Sequence, residues 1–304
     1  MTVGHHDLAG AAALKRRMAT LIGLSAIVMW SSLAILSVLS GPIPPFQLTA
    51  MCFALAGTIG LVRLSFRPMA ADAVFRLPMA AWALGIGGLF LFHAFYFAAV
   101  QNAPPVDASL ISYLWPLLIV LFSAFLPGER LGAGHVVGAL LGLAGAVLVI
   151  AGRGGPAFEL RYAAGYLAAL GAALTWSSYS VLSRRFSSVP SDAVTGFCLA
   201  TAALSLACHL SFESTVWPQT GLQWIAVAGL GAFPVGLAFF TWDNGVKHGD
   251  IQFLGVAAYA APLFSTLFLV AAGLAAPSWH IVVACLLISG GGLLAAMAGR
   301  SKRP

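Results

Sequence analysis

Long apolar runs dominate the sequence, and short polar connectors separate them. A helix rises about 1.5 Å per residue, so roughly 20 apolar residues are enough to cross a bilayer core of about 30 Å. The runs lack the alternation of a membrane β-strand, which favours helices over a barrel. The pattern predicts an all-α integral membrane protein with ten spans, at residues 19–39, 44–62, 79–100, 108–126, 133–152, 163–183, 193–211, 222–242, 251–274 and 279–299.

The composition supports a membrane protein. Of the 304 residues, 60% are hydrophobic and only 8% are charged, whereas soluble domains carry about 25% charged residues. The net charge of +6 does not indicate nucleic-acid binding, because the basic residues form no patch with interleaved aromatic residues. We expect neither a metal nor a cofactor, because the four cysteines lie inside spans without metal-ligand spacing: Cys52, Cys198, Cys208 and Cys285.

The lysines and arginines favour one side of the predicted spans. With the N-terminus inside, thirteen of them fall on the inner side, and only Arg153 and Arg161 fall outside. Basic residues accumulate on the cytoplasmic side of membrane proteins. The pattern therefore predicts cytoplasmic tails at 1–18 and 300–304.

The two halves of the chain repeat one another. A shift of 146 residues without gaps aligns the Trp-Ser-Ser at 30–32 with the Trp-Ser-Ser at 176–178, and it also aligns Cys52 with Cys198, Tyr113 with Tyr259 and Pro116 with Pro262. Each half, 19–152 and 163–299, holds five spans, and this odd number makes the halves inverted repeats. Inverted repeats are typical of secondary transporters, whose substrate site lies near the membrane midplane at the repeat interface.

These residues resemble a known superfamily. The two five-span halves, the proline in the fourth span of each half and the GERL at 128–131 resemble the drug/metabolite transporter superfamily, and most closely its EamA-type ten-helix exporters. Within that group the chain is most similar to the YddG aromatic amino acid exporters. The second half lacks the GERL, since Glu129 aligns with Ala275. The resemblance implies ten helices around a central cavity, and export of aromatic and other neutral amino acids across the bacterial inner membrane by alternating access.

The placement of charges narrows the substrate class. All nine acidic residues lie in connectors or at span ends, and no lysine or arginine lies deep inside a span. Charges in mid-membrane cost about 2.5–3.5 kcal/mol and usually serve function where they persist. A neutral or zwitterionic substrate fits this pattern best. The Asp243-Asn244-Gly245 sequence that closes the eighth span is interpreted as a solvated helix end, with a gate as the alternative.

Aromatic and titratable side chains inside the spans are the candidate site residues. His93 is the one ionisable side chain well inside a span, and Tyr96 shares its helical face. A proline leaves a helix carbonyl without its usual donor, which membrane proteins tolerate where other groups satisfy it. We predict a cavity lined by His93, Tyr96, Trp30, Tyr113, Trp115, Trp176, Tyr179 and Tyr259, with helix kinks or gates at Pro116 and Pro262.

Other functions stay open at the level of sequence. The chain could export another neutral or zwitterionic metabolite or drug on the same scaffold, or it could be a non-transporting receptor or assembly subunit. It lacks the HExxH and GxSxG motifs of hydrolases, so we expect no enzymatic activity. The expected partners are a small-molecule substrate and the lipid bilayer. Two repeats suffice for a complete pathway, so we expect a monomer.

Overall fold

The computed structural model describes residues 3–67, 74, 76–152, 158–273 and 276–300. Every regular element within these ranges is helical, as predicted. The long helices are α1 (Val3–Ser31, continued by Leu33–Leu39), α2 (Pro45–Ser65), α3 (Met79–Asn102), α4 (Pro105–Phe125), α5 (Ala133–Ala151), α6 (Ala163–Leu182), α7 (Ser191–Phe212), α8 (Gly221–His248), α9 (Ile251–Ala271) and α10 (Trp279–Arg300).

Nine helices in the described residues are long and apolar enough to cross a membrane. The tenth is α6, whose 20 residues also reach across a bilayer core of about 30 Å. It is the least apolar because it carries the Trp-Ser-Ser-Tyr-Ser run at 176–180. The first helix begins at Val3, well before the predicted apolar run at 19–39. Residues 301–304 and Arg153 lie outside the described residues.

The helices are interrupted at equivalent positions in the two halves. A π-helical turn occupies Gly87–Leu91 in α3, and another occupies Phe233–Leu237 in α8. The α-helical geometry of α4 breaks after Ser112, and that of α9 breaks after Ala257. Each of these pairs obeys the 146-residue shift to within one residue, so the internal repeat of the sequence is also a repeat of structure.

The pairing of helices follows the inverted repeat. The most extensive contacts join α5 to α10 and α2 to α7, which are equivalent helices of the two halves. The next most extensive contacts join α1 to α8 and α6 to α3. In both pairs the first helix of one half packs on the third helix of the other half. This is the pattern that a pseudo-two-fold axis produces. The interface between the halves therefore runs through the centre of the bundle.

Ion pairs join the halves at the end of the bundle where α1 begins, here called the basic end. Glu129 contacts Arg16 at 3.6 Å and Arg184 at 2.9 Å, and Arg16 contacts Asp250 at 3.3 Å. We call these four residues the basic-end network. Burial lowers the pKa of the Arg184 guanidinium, and the facing Glu129 carboxylate opposes that shift. The network therefore depends on the Glu129 charge to hold two arginines together.

Glu129→Gln is expected to make the basic end open more readily, because it leaves Arg16 and Arg184 facing each other without the carboxylate between them. The measurement is the rate of maleimide labelling of a cysteine placed at the buried Ser183, in a chain without its four native cysteines. We expect labelling at least about threefold faster. Glu159→Gln is the control, because Glu159 is exposed and pairs with the nearby Arg161. Equal labelling rates in Glu129→Gln and Glu159→Gln would contradict a role for the Glu129 charge in holding the basic end closed.

The other end of the bundle is closed by a different contact. The Glu213 carboxylate accepts hydrogen bonds from the backbone N–H groups of Phe46 and Gln47, at 2.9 and 3.0 Å, where α2 begins. An acidic side chain is favourable at a helix N-terminus because of the helix dipole. His209 lies 2.9 Å from the same carboxylate. This contact ties the C-terminal end of α7 to the first turn of α2, so both ends of the bundle join the two halves.

Candidate functional site

Four tryptophans meet where the halves of the bundle meet. Trp30 on α1, Trp115 on α4, Trp176 on α6 and Trp242 on α8 form the tryptophan cluster. Ring centroids are 5.0 Å apart for Trp30 and Trp242 and 5.7 Å apart for Trp30 and Trp176, and all six pairs lie within 6.4 Å. Trp30 is half-buried and the other three rings are buried. Edge-to-face and tilted pairs at these distances are favourable for aromatic rings.

Two indole N–H groups are fixed by hydrogen bonds across helices. Trp30 Nε1 donates to the backbone oxygen of Pro234, at 3.0 Å, in the π-helical turn of α8. Trp242 Nε1 donates to Ser180 Oγ on α6, also at 3.0 Å. A polar group in a membrane interior needs such a partner. The π-helical turn of α8 supplies this partner for Trp30, and the Ser180 hydroxyl supplies it for Trp242.

His93 and Tyr96 lie beside the tryptophan cluster on α3. His93 packs edge-on against Phe53, with ring centroids 5.1 Å apart, and its Nδ1 lies 2.7 Å from the backbone oxygen of Leu89. A carbonyl only accepts, so Nδ1 carries the hydrogen and Nε2 is the acceptor of the neutral ring. Tyr96 stacks on Phe92, at 6.2 Å. Both residues are half-buried. Tyr96 contacts the cluster through Phe92, and His93 contacts it through Phe239.

Tyr113 and Tyr259 lie in a separate apolar group. Tyr259 is fully buried against α5 and α10, with Ala146 and Ile288 as neighbours, and Tyr113 packs at the edge of the same group. The Tyr259 hydroxyl accepts a hydrogen bond from the Leu117 backbone N–H, at 3.0 Å. That hydrogen bond satisfies a donor freed by the break in α4. The structure therefore places both tyrosines apart from the tryptophans, and their cavity-lining role stays a prediction.

The two prolines are buried just beyond the breaks in α4 and α9. Pro116 follows the break after Ser112, and Pro262 follows the break after Ala257. Proline removes a backbone donor, so the helix preceding it loses a turn of regular hydrogen bonding. The structure thus shows helix breaks at both prolines. A gating role for them stays a prediction.

Phe239 and Trp242 were not among the predicted residues, yet both contact the cluster. Phe239 lies 5.5 Å from Trp176 and 5.5 Å from Phe53, and Trp242 is a member of the cluster itself. The signal that identifies them is the repeat. The 146-residue shift that aligns the two halves places His93 on Phe239 and Tyr96 on Trp242.

A crevice leads from the basic end toward the tryptophan cluster. It has room for about one water molecule. Tyr179 lies at its inner side, with its ring centroid 5.2 Å from that of Trp176. Aromatic side chains of the tryptophan cluster lie at the centre of the bundle, where the sequence predicts a cavity. The crevice is lined by Ala81, Leu84, Gly85, Tyr179, Ser183, Phe186, Val189, Phe197, Asp243 and Lys247.

Asp243 and Lys247 form a buried ion pair in this crevice, 2.8 Å apart. Asp243 is 1% exposed and Lys247 is 5% exposed. The carboxylate also accepts from the Ser191 hydroxyl at 2.6 Å and lies 3.5 Å from the Tyr179 hydroxyl. Lys247 donates to the Val189 backbone oxygen at 3.1 Å. The interpretation of this helix end as solvated is therefore wrong, because the connector between α6 and α7 covers it.

Comparisons with known proteins identify the scaffold. The model of the EamA-like transporter family matches residues 17–151 and again residues 163–297, once in each half. The aromatic amino acid exporter YddG of Ancylobacter novellus is 54% identical over 94% of this chain and 100% of its own length. The aromatic amino acid exporter YddG of Escherichia coli is 28% identical over 94% of this chain and 99% of its own.

A solved structure shows the same architecture. A crystal structure of a protein with 54% sequence identity superposes with a TM-score of 0.89 and covers 94% of this chain and 99% of its own. The similarity thus spans both repeats. This chain is a multi-pass membrane protein that belongs to the EamA-like transporter family.

Proposed function

We propose that this protein exports aromatic and other neutral amino acids across the bacterial inner membrane, as a secondary transporter that works by alternating access. The observation that carries the proposal is the tryptophan cluster at the interface between the inverted halves. Its rings come from α1 and α4 of the first half and from α6 and α8 of the second. A motion of one half against the other must therefore rearrange the cluster.

The chemistry of the cluster suits an aromatic substrate. When a motion of the halves uncovers them, the faces and edges of the indole rings can bind other aromatic rings in stacked or edge-to-face geometry, and such pairs contribute about 0.5–1.5 kcal/mol beyond area burial. The substrate site of inverted-repeat transporters lies at the repeat interface. The names of the two relatives, both aromatic amino acid exporters, support the same substrate class.

The orientation proposed here places the basic end in the cytoplasm. The basic-end network and the arginines of the connector between α6 and α7 lie there. Basic connectors face the cytoplasm in multi-pass proteins. Because both halves of the pathway lie in one chain, the proposed active unit is a monomer.

Counterflow in proteoliposomes tests the proposed substrate class. Liposomes that contain the purified full chain and an excess of unlabelled phenylalanine are diluted into labelled phenylalanine, tryptophan, threonine or methionine. We expect saturable uptake of phenylalanine and tryptophan, well above that of protein-free liposomes. Uptake of all four at the protein-free level, with folded protein, would contradict the proposal.

His93 is the proposed proton-sensitive group if a proton gradient stimulates transport. It is the one ionisable side chain well inside a predicted span, and its ring contacts lie beside the tryptophan cluster. His93→Ala is then expected to remove the stimulation, whereas His280→Ala, at the start of α10, keeps it. Uptake is measured with and without an imposed pH gradient. An unchanged gradient dependence in His93→Ala would rule out this role.

A further inference from the structure

Building on the proposed function, we propose that Asp243 and Lys247 form the binding site for the head group of the transported amino acid. In this assignment the Asp243 carboxylate binds the substrate α-ammonium, and the Lys247 ammonium binds the substrate α-carboxylate. The substrate side chain extends past Tyr179 toward the tryptophan cluster. The ligand class is a zwitterionic amino acid.

The position of the pair supports this assignment. Asp243 and Lys247 line the crevice that enters from the basic end, and Tyr179 connects them to the cluster. The Tyr179 hydroxyl lies 3.5 Å from Asp243 Oδ1, while its ring lies 5.2 Å from the ring of Trp176. Charged groups and aromatic rings are therefore adjacent along one path. This order, a head-group site followed by an aromatic surface, matches the two chemical parts of an aromatic amino acid.

The attraction between the two charges lies within one helix, and neutral hydrogen bonds could make the contacts of Asp243 and Lys247 with Ser191 and the Val189 backbone oxygen. Asp243 and Lys247 are four residues apart on the same helix, so their attraction does not hold α8 to another helix. Burying two charges costs several kcal/mol per ion, and well-packed apolar residues often replace such pairs without loss of stability. Stability alone therefore gives a weak reason for two charges to lie in this crevice, and binding of a ligand that carries both charges gives a strong one.

A zwitterion can exchange with this pair without leaving a charge unpaired. When the α-ammonium approaches Asp243 and the α-carboxylate approaches Lys247, each of the four charges keeps an opposite partner. A ligand that carries only one charge leaves either Asp243 or Lys247 without a partner in a buried site, which is costly. The site should therefore discriminate strongly between amino acids and their singly charged analogues.

Entry of a ligand requires the contacts of α8 with Val189, in the connector between α6 and α7, and with Ser191, the first residue of α7, to open. Ser191 donates to Asp243 and the Val189 backbone oxygen accepts from Lys247, at 2.6 and 3.1 Å. These two hydrogen bonds close the crevice in the present structure. A head group that takes their place satisfies the same donors and acceptors, so binding and opening of the crevice are linked.

Competition in the wild-type protein tests whether both charges are recognised. The probe is counterflow of labelled phenylalanine, and the competitors are unlabelled phenylalanine, phenethylamine and 3-phenylpropionate. Phenethylamine lacks the carboxylate, and 3-phenylpropionate lacks the ammonium. We expect half-inhibition by each analogue to require a concentration at least about tenfold higher than that of unlabelled phenylalanine. Equal inhibition by all three would overturn the proposal.

The variant Asp243→Asn/Lys247→Met tests whether this pair is the site. It removes both charges and leaves none unpaired, so folding is preserved better than in either single variant. Its folding is checked by size-exclusion elution and thermal unfolding. We expect at least a tenfold rise in the KM for phenylalanine and loss of the discrimination against both analogues. An unchanged KM with unchanged discrimination would overturn the proposal.

A milder variant covers the case in which the double variant does not fold. Ser191→Ala removes one hydrogen bond to Asp243 and no charge, and we expect it to change the KM for phenylalanine at least about threefold. Ser187→Ala, on an exposed residue of the connector that precedes α7, is the matched control. The same KM in both serine variants would then overturn the proposal.

These measurements separate the head-group site from the proposed function. Transport of phenylalanine by the wild-type protein, without discrimination against the analogues, overturns the head-group site alone. Absence of amino acid transport in the wild-type protein overturns the proposed function and the head-group site together.

Discussion

Replacing Lys247 with methionine is expected to lower the free energy of unfolding by about 3–5 kcal/mol, because it leaves the buried Asp243 carboxylate without its partner. Asp243 is 1% exposed, so water cannot replace the lost ammonium without rearrangement of the crevice. The measurement is the midpoint of thermal unfolding of the purified protein in detergent. The exposed Lys15, changed in the same way to methionine, is the matched control and is expected to leave the midpoint unchanged.

The double variant Asp243→Asn/Lys247→Met completes this test. Removing both charges leaves no unpaired charge, and the asparagine amide can still accept from Ser191. We therefore expect the double variant to be more stable than Lys247→Met alone. A double variant less stable than Lys247→Met would contradict the conclusion that Lys247 compensates the buried charge of Asp243.

Gly291→Ala is expected to destabilise the protein by about 1–3 kcal/mol, because a methyl group has no space between α5 and α10. A Cβ atom at Gly291 would collide with the backbone oxygen of Gly138, and backbone cannot move aside as a side chain does. The two helices, which are equivalent in the two repeats, would have to separate. Thermal unfolding in detergent measures the effect.

The neighbouring Gly290 provides the matched control. A Cβ atom at Gly290 meets no other atom within 4 Å, so the position is open. Alanine is favoured over glycine in a helix by up to about 1 kcal/mol. Gly290→Ala is therefore expected to keep or raise the unfolding midpoint, whereas Gly291→Ala lowers it. Equal midpoints for the two variants would show that α5 and α10 do not depend on this close approach.

The helices could be predicted from sequence because the signal for a span is local. Each span is a continuous apolar run that ends at polar or glycine-rich connectors, and the structure confirms this architecture. The span α6 is the least apolar because it carries serines and the predicted site residues Trp176 and Tyr179. The start of α1 at Val3 was less predictable, because a helix can extend beyond the apolar part of its sequence.

The repeat made part of the tryptophan cluster predictable. Equivalent residues near a pseudo-two-fold axis approach each other, and Trp30 and Trp176 do so with ring centroids 5.7 Å apart. Equivalence alone does not show which pairs lie in the tryptophan cluster, since Tyr113 and Tyr259 are also equivalent but lie in another apolar group. Applying the same shift to every aromatic residue would have added Trp242 to the candidates.

The burial of Asp243 and Lys247 was not predictable from the sequence of α8. Their spacing of four residues indicates an ion pair on one helical face. Whether that face is solvated depends on another part of the chain, because Val189, in the connector between α6 and α7, and Ser191, the first residue of α7, cover it. Such contacts between distant segments are tertiary information. The general interpretation of a charged helix end as solvated is wrong here for that reason.

The measurement that tests the central claim most directly is the kcat/KM of phenylalanine counterflow in Trp176→Phe compared with Trp279→Phe. Both variants carry the same substitution, but Trp176 is buried in the tryptophan cluster and Trp279 is exposed at the start of α10. We predict that kcat/KM falls at least about tenfold in Trp176→Phe and stays at the wild-type value in Trp279→Phe. Equal kcat/KM in the two folded variants would contradict a substrate path through the interface of the repeats.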